Sequence, residues 1–110
     1  MIMDAEVFKI RAKQWINNKL ILANTSTWYK QAPRKDAILH VKNLFGTFLN
    51  FPSNYSIAQL AIQLKRHEDL LLVILPIPHN PSYEKAFNTL SELMAFATEF
   101  IDNNNLKHML

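Results

Sequence analysis

A single glycine, Gly46, occurs in this chain of 110 residues, and that scarcity restricts the fold more than any other feature. Loops that cradle phosphates use several glycines, because only glycine lets backbone approach a ligand so closely or take positive φ cheaply. Two-residue hairpins also want glycine in their turns. A chain with almost none, whose apolar residues recur every three or four positions, reads most simply as packed helices. The expected fold is all-α: a single-domain bundle of about four main helices over residues 1–110, with residues 103–110 as a frayed tail.

The periodicity places these helices. The first is expected from Met3 to Leu22, with Ala5, Phe8, Ala12, Trp15 and Ile16 on one face. Lys19 falls in the middle of that face, one turn beyond Trp15. It is expected either to end the face or to lay its stem over apolar surface and keep its ammonium wet. The second helix is expected from Arg34 to Asn50, with Pro33 at its start, where a missing N–H costs nothing. Ala37, Val41, Leu44, Phe45 and Phe48 form its stripe, widened by Ile38 and Leu49, and Gly46 falls on the wet side as a tolerated residue. Ser56 is the expected N-cap of a third helix carrying Ile57, Leu60, Ala61 and Leu64. The run Leu70–Leu75 is apolar on every side, so its period does not separate buried helix from strand. With no second strand-like run to pair with, it is read as helix. Pro76, Pro78 and Pro81 stiffen the connector that follows. The last helix is expected from Asn80 or Ser82 to Asp102, with Tyr83, Ala86, Phe87, Leu90, Leu93, Met94, Ala97 and Ile101 on one face.

Composition bounds the function. The chain holds no cysteine, which removes disulfides and thiolate metal sites. Asp4 and Glu6 stand where a signal peptide would be basic, and no apolar run reaches the roughly 20 residues of a membrane span. The expected location is the cytoplasm, with no membrane partner. Charge is uneven: residues 1–66 carry ten Lys/Arg against three acids, whereas residues 67–110 carry two against six. Such asymmetry steers a charged partner, or is neutralised internally if the acidic last helix packs beside the basic first one.

No catalytic constellation is legible. His40, His67, His79 and His108 are scattered, with no pair at i, i+4 and no HExxH. Glu68 and Asp69 are sequence neighbours and diverge by about 100° on a helix. The serines lack a nucleophile-elbow context. The expectation is therefore no enzyme, no metal and no cofactor. Ser56–Ala61 resembles the opening of a helix-turn-helix only weakly, because the apolar run Leu70–Leu75 occupies the place of a polar recognition helix.

Two binding surfaces remain. Aromatic residues and a six-residue apolar run exceed what a small bundle interior needs, and exposed contiguous apolar surface marks interaction sites. Leu70, Leu72, Val73, Ile74 and Ile77 are the expected protein-binding residues. The leading expectation is a non-catalytic protein-binding module, an inhibitor or immunity-type protein that neutralises a toxin or nuclease by direct contact, with a homodimer as a further possibility. The alternative is a small helical nucleic-acid-binding accessory protein using Lys9, Arg11, Lys13, Trp28, Tyr29, Lys30, Arg34 and Lys35, where aromatic planes stack bases and cations hold phosphates.

Overall fold

The computed structural model describes residues 3–25, 32–50, 56–76 and 78–110. Five α-helices follow in order: α1 (Ala5–Thr25), α2 (Ala32–Asn50), α3 (Ile57–Arg66), α4 (Glu68–Val73) and α5 (Tyr83–Asn103). A 3-10 turn, Lys107–Met109, closes the chain, and no strand is present among the described residues. The fold is the expected all-α bundle, with four long helices and one short one.

Side chains satisfy free amides at the starts of α1 and α3, whereas α4 has no side-chain cap. The Asp4 carboxylate accepts from the Val7 N–H at 2.8 Å, capping α1. Ser56 and Gln59 make a reciprocal capping box at α3, with Gln59 N–H donating to Ser56 Oγ at 3.1 Å and Ser56 N–H to Gln59 Oε1 at 3.3 Å. Before α5, Asn80 Oδ1 accepts from the Ser82 N–H at 2.9 Å in an Asx turn, and Ser82 at the N-cap makes no side-chain cap bond. Pro33 lies in the first turn of α2 as its fixed φ requires.

The apolar run Leu70–Leu75 is helical over its first four residues. His67 interrupts the third helix at φ −117°, ψ 24°, so α4 is a separate six-residue piece. Pro76 follows at once, and Leu75 N–H turns back to Leu72 O at 3.3 Å. The end of α5 is a Schellman turn. Leu106 N–H donates to Ile101 O at 2.9 Å and Asn105 N–H to Asp102 O at 3.4 Å, while Asn105 holds φ 56°. Leu106 packs against the core. The stretch expected to fray thus carries a folded-back terminator.

One apolar cluster joins all five helices, with Phe8, Phe45, Phe48, Leu60, Leu64, Leu71, Ile74, Leu90 and Leu93 among its largest members. Helix α3 buries Leu60, Ala61, Ile62 and Leu64, more than one stripe, because it packs against α5, α1 and α4 at once. Its contact with α5 is the most extensive among the described residues. Helix α2 packs on α1 and α4. The radius of gyration, 13.7 Å, is close to the value of about 13 Å for a compact chain of this size. One expected core residue stands outside: Phe87, at the margin of the α5 stripe, is exposed and stacks on Tyr83.

Candidate functional site

Two features of the surface go beyond an ordinary solvated bundle. The first is α4. Its short length lets it place Leu71 in the core, and the turn after it buries Ile74 and Leu75. The intervening pair cannot follow: Leu72 is 40% and Val73 42% exposed. Two adjacent apolar side chains therefore face outward on a helix pinned from behind. Leu70 is half-buried against the core. Ile74, expected as an interface residue, is fully buried and corrects that reading: a run that is apolar on all sides carries no signal of which side turns inward. Ile77 lies outside the described residues. Leu39 on α2, the helix against which α4 packs, is a further exposed apolar residue, at 60%.

The second feature is a cleft of about 510 Å³ between α1 and α5. The α1 wall is Arg11, Gln14, Trp15, Asn18 and Lys19, spaced three, one, three and one apart, so they share one helical face. The α5 wall is Ser82, Lys85, Ala86, Thr89 and Glu92, on one face by the same rule. Trp15 spans the two, its indole N–H donating to Ala86 O at 3.0 Å. Arg11 Nη1 meets Glu92 Oε2 at 3.4 Å.

Lys19 is the unusual member. It is only 7% exposed, and among the described residues no carboxylate or carbonyl bonds it. Sequence reading placed it at the end of the apolar face or snorkelling. Helix α1 continues past it with Leu20 buried, so the face does not end there; the stem of Lys19 is buried and its ammonium reaches the cleft, the snorkelling arrangement. Burial away from water holds its pKa below the ordinary 10.5, and the positive charge of Lys85 lowers it further.

The basic half of the chain is compensated in part, with Lys65 Nζ 3.7 Å from Glu68 Oε1. Helix α1 packs on the acidic α5, and Arg11 spends its charge on Glu92 across 81 residues of sequence. Lys9, Arg11, Lys13 and Arg34 are half-buried, while Lys35 is exposed. Trp28, Tyr29 and Lys30, the aromatic part of the expected nucleic-acid surface, lie outside the described residues. Sequence reading also missed a histidine pair. His40 on α2 and His67 at the α3–α4 break approach to 6.2 Å between ring centroids, and His67 Nδ1 lies 3.0 Å from Gln63 O. Their separation in sequence hid this proximity. No group of metal-ligating side chains that could hold an ion occurs among the described residues, and no helix there is long and apolar enough to cross a membrane.

Comparison with protein-family models, curated proteins and solved structures finds no match to this chain.

Proposed function

We propose that this chain is a non-catalytic protein-binding module that works by direct contact through α4. The observation that carries the reading is the exposed pair Leu72 and Val73, backed by Leu71, Ile74 and Leu75 in the core behind it. An apolar pair presented on a folded helix turn offers surface that a partner can desolvate. Its first turn carries Glu68 and Asp69. An apolar knob rimmed by acids suits a partner with an apolar recess among basic groups, such as the nucleic-acid-binding groove of a nuclease or related toxin. On this reading the protein is an inhibitor or immunity-type subunit, working in the cytoplasm. A complete interface buries about 1,200–2,000 Å² in total, so α4 is its centre and neighbouring polar surface its rim.

The test is a comparison of wild type, Leu72→Asp and Val73→Asp. Both positions are exposed, so each variant should keep the wild-type helical spectrum and melting behaviour. The partner captured by wild type is purified and its affinity measured against all three. The expected result is a loss of about tenfold or more for each variant, since a charge placed in a desolvated contact is left unpaired. Self-association that disappears in Val73→Asp would make the partner a second copy. Equal affinity across the three proteins refutes the reading. So does salt-sensitive binding of oligonucleotides that is lost on replacing Arg34 and Lys35.

A further inference from the structure

The α1–α5 cleft is built from helices other than the α2–α4 pair, and its chemistry is different. We propose that it is a binding site for a small phosphomonoester, its phosphate held between Lys19 and Lys85, with the organic part lying along the walls of the cleft.

The argument starts from charge. Two ammonium groups close enough to repel one another line one cavity. The acid at the site, Glu92, is already engaged by Arg11. The stem of Lys19 is buried while its ammonium faces the cleft beside Lys85, so an anion seated there would relieve the repulsion between the two. A carboxylate or phosphodiester brings one negative charge and satisfies one lysine. A phosphomonoester carries about −1.5 to −2 near neutral pH and satisfies both. Lysine serves phosphate well because it acts as a compact point charge with three donors.

Shape and hydrogen bonding fit the same ligand. A volume of about 510 Å³ lies within the range of about 300–1,000 Å³ for small-molecule sites. Gln14 and Asn18 place carboxamides on the α1 wall, able to donate to phosphate oxygens. The two hydroxyls on the α5 wall have their protons committed: Ser82 Oγ donates to Asn80 Oδ1 at 2.7 Å, and Thr89 Oγ1 to Lys85 O at 2.9 Å. Their free lone pairs accept, which suits an organic part that carries hydroxyl groups. Trp15, held by its bond to Ala86 O, supplies a rigid apolar floor.

The experiment is calorimetric titration with glycerol phosphate, inorganic phosphate, dimethyl phosphate and acetate. In parallel, the Lys19 ammonium is followed by nuclear magnetic resonance. Glycerol phosphate and inorganic phosphate should saturate one site. Dimethyl phosphate and acetate should bind about tenfold or more weakly, the scale of one charge-assisted hydrogen bond lost. Lys85→Met and Lys19→Met should each weaken glycerol phosphate by a similar factor, while Lys35→Met on α2 leaves it unchanged. Lys85 is exposed, so its replacement tests the site without touching the core. The dianion should also raise the Lys19 pKa toward its ordinary value, against the opposing influence of Lys85 and Arg11 and with Glu92 nearby. Absence of saturation, equal binding of monoester and diester, indifference to both lysine variants, or a Lys19 titration unmoved by ligand would each overturn the proposal.

Discussion

Replacing Lys19 by methionine should make this protein more stable, and the gain should fade as pH rises. Methionine keeps the length and flexibility of the stem and removes the charge. In the folded chain the lysine is only 7% exposed, and desolvation first, then Lys85, holds its pKa below 10.5. In the unfolded chain the ordinary value returns. Between the lowered pKa and 10.5 the unfolded chain therefore binds more protons than the folded one, and wild-type stability rises with pH through that window. Below the window wild type bears the whole penalty, about 1.4 kcal/mol for each unit of lowering. The ammonium faces an open cleft, where water screens it, so the expected gain near neutral pH is at most about 1 kcal/mol. Above 10.5 both side chains are uncharged and the difference should shrink to that of two similar stems. Urea unfolding followed by far-ultraviolet circular dichroism, repeated from neutral to strongly alkaline pH, measures the difference directly. Other alkaline groups titrate in both proteins and cancel. Lys85→Met, which removes the second cause, should recover part of the gain. A Lys19→Met protein that is less stable than wild type at neutral pH, or a difference that does not change with pH, would show that the ammonium is not desolvated. The same lysine is proposed to hold phosphate, so this is a site where binding capacity and stability oppose each other.

Three other substitutions have clear expectations. Leu90 is 2% exposed at the centre of the α5 face, and Leu90→Ala should cost about 2–5 kcal/mol in chemical unfolding, whereas a cost below about 0.5 kcal/mol would mean the face is not packed. A Cβ added at Gly46 meets nothing within 4 Å, so Gly46→Ala should stabilise α2 by up to about 1 kcal/mol, seen as a raised Tm. Asn105 holds φ 56° in the Schellman turn, and Asn105→Gly should leave stability equal or slightly higher, while Asn105→Val should lose about 1–2 kcal/mol by the cost of that conformation to an ordinary side chain.

The helices and most of the core were legible because burial on one face imposes a 3.6-residue period, as Phe8, Ala12, Trp15 and Ile16 or Leu90, Leu93, Ala97 and Ile101 show. Ser56 was readable as a cap because its chemistry is local. At α5 the cap position falls to Ser82, one of the two residues the sequence offers, but its hydroxyl donates to Asn80 Oδ1, which residue type alone does not show. Where every residue is apolar, periodicity is silent, which is why Ile74 was expected outside and stands inside. The cleft was illegible for another reason. Arg11 and Glu92, or Lys19 and Lys85, become neighbours only when α1 lies on α5, and taken alone each is a common surface residue. One signal was available: a lysine in the middle of an apolar stripe. It indicates a stem laid over apolar surface, but not which helix lies across from it.

The six residues of α4 also govern how the molecule opens. Helix α2 is fastened to the bundle by α1 on one side and by α4 on the other, while α3 and α5 hold each other directly. The attachment through α4 is slight, because α4 buries Leu71 alone and is a piece too short to be helical by itself. Thermal fluctuation should therefore release α2 and α4 together as one unit before α3 separates from α5. In native-state hydrogen exchange their amides form a common low-energy opening, and those of α3 and α5 exchange only with global unfolding. The element that presents Leu72 and Val73 is thus also the latch of the first door to open, and a partner seated on it would slow exchange along α2, in residues it never touches.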